Sequence, residues 1–236
     1  MAELFIPVIL GTNRKGCMSR FVANFVVEQV QAWASVDTEL IDIGTLPIPT
    51  DDAGLSIKDP GFSATVERAD GLIIVVPEYN HAYPGLLKHV LDTNLKEYIH
   101  KAVGLCGVSA GAFGGTRVIQ SMLPVMRELG LVTTFYDLNF SGVNQLFDEQ
   151  GAIADRETYV RRFDRFMKEL VWMSAVLQHG RQAVSLDPEK DQDTLVFHAN
   201  KPCPEEVARL GSDATDAAME VKTCSETGRV EATLIR

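Results

Sequence analysis

Apolar runs and amphipathic stretches alternate along this chain, and that alternation restricts the fold more than any other feature. "LFIPVIL" (4–10), "TELIDIG" (38–44), "GLIIVV" (71–76), "KAVGLCGVS" (101–109) and "LVTTFYDLNF" (131–140) read as strands. Between and after them, helical spacing of apolar residues predicts helices over 19–34, 62–69, 84–95, 116–129 and 155–178. Strands that alternate with helices bury themselves as a parallel sheet with helices on both faces. Right-handed crossovers then leave a few doubly wound strand orders, of which 2-1-3-4-5 is the expectation here. Two prolines qualify the pattern. Pro7 cannot donate to a sheet ladder and is expected near the beginning of the first strand. Pro124 sits inside a predicted helix, where a kink is expected.

The pattern ends near residue 180. The expected division is a domain over 1–180 and an extension over 181–236, read as an oligomerisation arm, with an arm folded back on its own subunit or disordered as the alternative. Within the extension, "EVKTCSETGRVEATLIR" suggests a hairpin turning at "ETGR".

Charge and composition set limits on function. A formal net charge of -10 argues against a sequence-general nucleic-acid binder, which needs an excess of Lys and Arg. No apolar run approaches the ~20 residues of a membrane span. The opening "MAELFIPVILGTNRKG" reads as a first strand and not as a signal peptide. Cys17, Cys106, Cys203 and Cys224 are widely separated, without a C-x-x-C pair, so neither a disulfide framework nor a zinc site is expected. A reducing cytoplasm is the simplest setting.

In an open parallel sheet, ligands bind beyond the carboxyl ends of the strands where the strand order reverses. For the order 2-1-3-4-5 three strand exits meet there: "GTNRKGCMS", "PEYNHAYPG" and "SAGAFGG". The first opens a helix, whose free N–H groups and dipole suit a phosphate, with Thr12 and Ser19 offering hydroxyls and Arg14 a charge. Ser19 as a plain N-cap and Arg14 as a surface charge are the alternative. The spacing is neither G-x-x-x-x-G-K-[ST] nor G-x-G-x-x-G. In the second exit, Tyr79, His81 or Tyr83 can border a flat ring, and Asn80 suits a side chain that fixes the turn. His81 as an exposed loop residue, and Glu78 as a loop-fixing or interface carboxylate, remain open. The third exit carries Gly111, Gly114 and Gly115, which allow close approach of a planar ligand. A phosphate pocket beside a flat, backbone-lined slot suits FMN.

"GTNRKGCMSR" and "PEYNHAYPGLLKHVLD" resemble the NADPH-dependent FMN reductase family of flavodoxin-like proteins, over about residues 4–178. The resemblance implies a flavodoxin-like domain with non-covalent FMN, its phosphate held by Thr12, Arg14 and the segment Cys17, Met18 and Ser19. It implies ring contacts from Pro77, Glu78, Tyr79, Asn80 and His81, and from Ser109, Ala110, Gly111, Gly114 and Gly115. It further implies NADPH or NADH as reductant, a flavin, quinone or similar small-molecule acceptor, and a homodimer or homotetramer. Hydride chemistry on a flavin needs little from protein acids or bases, so no catalytic side chain is assigned. A flavodoxin-type electron carrier that binds FMN without oxidising nicotinamide is the alternative function. Ala112 and Phe113 depart from the family's usual small and polar residues in the third loop.

Overall fold

A computed structural model describes residues 3–49, 57–186, 219–223 and 230–234. The first apolar run forms two short strands, β1 (Leu4–Phe5) and β2 (Val8–Leu10), interrupted at Pro7. Helix α1 (Ser19–Gln31) follows, then β3 (Val36–Asp37), β4 (Leu40–Asp42) and a 3-10 turn over Ile43–Thr45. Next come α2 (Pro60–Arg68), β5 (Gly71–Pro77), α3 (Gly85–Asp92), β6 (Lys101–Val108) and α4 (Thr116–Glu128), the last with Pro124 inside it. The chain continues through β7 (Leu131–Thr133), β8 (Leu138–Phe140), α5 (Val143–Leu146) and α6 (Arg156–Ala183). Residues 1–184 form one compact unit and 185–236 another. In the second unit β9 (Met219–Thr223) pairs antiparallel with β10 (Val230–Leu234), Thr223 opposite Val230. The expected "ETGR" turn lies outside the described residues.

The main sheet is parallel, ordered β4-β2-β5-β6, with β7 and β8 both paired to the far side of β6. That is the expected 2-1-3-4-5. Two strands are broken where one was expected. Pro7 has no N–H to donate, and β1 pairs with β3 while β2 pairs with β4. The fifth strand leaves the ladder after Thr133, and the amides of Phe135 and Tyr136 donate to the Glu169 carboxylate of α6 instead.

Side chains of β5 alternate between two cores, as a strand buried on both faces requires. Ile73 and Val75 pack with α1 and α6 residues such as Val26, Phe166 and Leu170. Leu72, Ile74 and Val76 pack with α2, α3 and α4 through Phe62, Leu87 and Met122. In β6, Gly104 leaves room for Phe166: a Cβ there would stand 2.3 Å from the Phe166 ring.

At the strand-entry end, polar side chains hold the long helix in place. Arg181 donates to Asp70 at 3.0 Å and to the His100 carbonyl at 2.7 Å, while Asp70 also accepts the Phe5 amide. Lys101 is buried and donates to the Val66 and Glu67 carbonyls that end α2, each at 2.6 Å. These contacts lie at the opposite end of the sheet from the strand exits. Among the described residues, no helix is long and apolar enough to cross a membrane.

Candidate functional site

The exits of β2, β5 and β6 are adjacent because their strands are adjacent, and specific bonds tie them together. Gly11 extends the first strand by donating its amide to the Val75 carbonyl at 2.8 Å. Thr12 is buried, and its hydroxyl accepts the Arg14 amide at 3.2 Å and lies 3.3 Å from the Tyr79 hydroxyl. The Arg14 guanidinium stands 5.8 Å from the centre of the Tyr79 ring. Thr12 therefore shapes the first loop and links it to the second.

Ser19 is not the cap of α1. Met18 occupies that position with no side-chain acceptor, and Ser19 is the buried first residue of the helix. The Cys17 and Met18 carbonyls accept the first helical amides, from Arg20 and from Phe21 and Val22. The amides preceding these have no side-chain cap, which leaves the helix N-terminus available to an anion. Cys17 is half-buried.

Beside this loop lies a cavity of about 540 Å³ lined by Thr12–Cys17 and also by Arg20, Asp42 and Thr45. Arg20 is ion-paired with Asp42, whose other oxygen accepts the Gly44 amide. Lys15, Arg20 and Asp42 were not among the expected site residues. Asp42 and Thr45 reach the cavity from the exit of β4, the neighbour of β2 on the other side, which only the sheet order reveals.

The second loop is a tight reversal. Tyr79 and Ala82 exchange backbone hydrogen bonds of 2.9 and 3.0 Å around Asn80 (φ 51°) and His81 (φ 66°). Two positive φ values in a row define the turn whose twist suits a hairpin, and they exclude most residues. Asn80 serves here by tolerating the left-handed backbone; its side chain makes no hydrogen bond among the described residues, contrary to the expected side-chain anchor. His81 is exposed, and among the described residues no base or acid contacts its ring. Pro77 is the buried last residue of β5. Glu78 donates its amide to the Val108 carbonyl at 2.9 Å and pairs with Arg117 at 3.3 Å. Its side chain is 8 % exposed, and Oε2 is buried with no partner.

The third loop is pinned from several sides. Ser109 donates its amide to the Phe140 carbonyl and its hydroxyl to the Gly111 carbonyl. Gly142 and Val143 donate amides to the Gly111 and Ser109 carbonyls. Asn139 donates to the Gly114 carbonyl at 3.1 Å. Ala110 and Gly111 are exposed at the rim, whereas Gly114 (φ 58°) and Gly115 (φ 80°) are buried against Asn139 and the Gly107–Val108 backbone. The glycines thus divide: Gly111 leaves open space above the rim, and the other two allow the loop to sit on the sheet.

The arrangement fits a phosphorylated planar cofactor. An uncapped helix N-terminus beside Arg14 could hold a phosphate. Open space above Gly111 and an unpaired buried oxygen on Glu78 lie at the other two exits.

The sequence profile described as NADPH-dependent FMN reductase matches residues 5–144. An NADPH azoreductase from Bacillus sp. (strain OY1-2) is 34 % identical over 122 residues, which cover 50 % of this chain and 65 % of that protein. A quinone reductase from Pseudomonas putida (strain KT2440) is 26 % identical over 183 residues, 71 % of this chain and 97 % of that one. Among solved structures, a flavoenzyme NAD(P)H:(acceptor) oxidoreductase from Paracoccus denitrificans superposes with a TM-score of 0.60 at 20 % identity. That match covers 73 % of this chain and 98 % of the other.

Proposed function

The chain belongs to the NADPH-dependent FMN reductase family, and on that premise we propose that it is an NAD(P)H-dependent oxidoreductase acting on a quinone, azo compound or flavin. FMN held at these exits would supply the hydride and electron transfer between nicotinamide and acceptor. The protein's own residues bind, orient and exclude. Arg14 and the amides opening α1 hold the phosphate. Tyr79, fixed by Thr12 and Arg14, borders the slot, and the rim from Ser109 to Gly111 offers backbone to the ring's polar edge. No side chain is assigned to move a proton. Among the described residues, His81 has no partner to act with.

The observation that carries this reading is the bonding of three strand exits into one platform beside an uncapped helix N-terminus. Relatives described as reductases of quinones and azo compounds support the acceptor class. The test is an absorption spectrum of the protein as isolated, with the released flavin identified, followed by anaerobic addition of NADPH. Bleaching of the flavin band is expected. A flavin that stays oxidised makes the protein an electron carrier, and a protein that takes up no flavin refutes the reading.

A further inference from the structure

Phe113 stands at the tip of the third loop with 63 % of its surface exposed. Its backbone is fixed, since its carbonyl accepts both the amide of Thr116 at 3.0 Å and its hydroxyl at 2.7 Å. The side chain is steadied too. The Arg117 guanidinium lies 4.4 Å from the ring centre, and the same guanidinium pairs with the largely buried Glu78 of the second loop. A phenyl ring held on a strand-exit loop by a cation that spans two strand exits gains nothing from water. It gains when an apolar surface arrives.

We propose that Phe113, braced by Arg117 and Glu78, is a specificity-determining residue that packs against a planar aromatic electron acceptor of quinoid type. The inference rests on the function proposed above and narrows its substrate class. An aromatic wall favours flat apolar acceptors through ring stacking and burial and offers little to a small hydrophilic anion. Phe113 forms no bond in the reaction; it acts on the residence and orientation of the acceptor.

The test uses the full chain loaded with FMN and compares wild type, Phe113→Ala and Phe113→Tyr. The probe is 2-methyl-1,4-naphthoquinone, bound to the oxidised protein without reductant and measured by equilibrium dialysis. Phe113→Ala is expected to weaken binding about tenfold, as expected for one lost aromatic contact with its buried area. Phe113→Tyr is expected to restore it. In steady state, KM for the quinone rises in Phe113→Ala, while KM for NADPH, FMN affinity and the rate with ferricyanide stay at wild-type values. An unchanged quinone Kd in Phe113→Ala overturns the inference. So does a rise in KM for NADPH in place of the quinone effect, which assigns the wall to the nicotinamide. A lighter species by light scattering with unchanged quinone Kd also overturns it, by making Phe113 a subunit contact. A wild-type protein that holds no FMN defeats the proposed function and this inference together. Wild-type reduction of the quinone with equal binding by the variant defeats this inference alone.

Discussion

Adding one methyl group at two glycines of the same loop separates what the loop needs for folding from what it needs for binding. Gly115 has φ 80°, and a Cβ there would stand 2.5 Å from the Val108 nitrogen and 2.6 Å from the Gly107 carbonyl carbon. Both atoms are backbone of the central strand β6, so neither can swing aside. Placing an L-residue in the left-handed region costs roughly 1–2 kcal/mol. Relieving the overlap with a packed strand costs roughly another 1–3 kcal/mol. Gly115→Ala is therefore expected to lose about 2–5 kcal/mol, or about 4–20 °C in Tm for a unit of this size. At Gly111 the added Cβ would meet nothing within 4 Å. Gly111→Ala is expected to lie between neutral and about 1 kcal/mol more stable, through the unfolded chain alone. Its methyl group enters the space proposed for the flavin edge, so FMN affinity should fall. Urea unfolding without flavin and a flavin fluorescence titration measure the two effects. Equal unfolding midpoints for the two variants would refute the division of the glycines. Wild-type FMN affinity in Gly111→Ala would remove the third loop from the cofactor site.

Arg14→Ala should weaken FMN binding by about 1.5–3 kcal/mol as a charge-assisted bond is lost, and an unchanged flavin dissociation constant would place Arg14 outside the pocket. Burial, and secondarily the charge of Arg181, lowers the Lys101 pKa to about 8. Between that value and the ~10.4 of an unfolded lysine, the unfolded chain binds more protons, so this group makes stability rise with pH across that window. Denaturant unfolding at intervals from pH 7.5 to 10.5 should show the rise in wild type and its loss in Lys101→Met; identical slopes would contradict the assignment. A chain ending at Leu186 keeps the Arg181–Asp70 contact and all of α6. If residues after it form an assembly arm, light scattering should find a smaller species that still binds FMN; full assembly size would refute the arm.

The order of strands and helices was legible in the sequence because period-2 and helical spacing of apolar residues are local properties. The three exits at the switch point followed from that order, since topology alone decides which loops are neighbours. Tertiary structure was needed wherever a residue's role depends on a distant partner. Nothing local in "LVTTFYDLNF" shows that Phe135 and Tyr136 leave the ladder, because the Glu169 carboxylate that takes their amides comes from a helix more than thirty residues later. Ser19 looked like a cap by type, yet the chain enters α1 through Met18, and a cap is defined by backbone direction. Asn80 looked like a side-chain anchor for the turn and His81 like a ring neighbour, and their shared positive φ became visible only with the backbone path. Asp42 joined the cavity, and Arg117 closed on Glu78 and Phe113, through strand adjacency and side-chain reach. Local sequence can carry periodicity and turn propensity. It cannot carry the distance between two side chains, which the packed sheet alone determines.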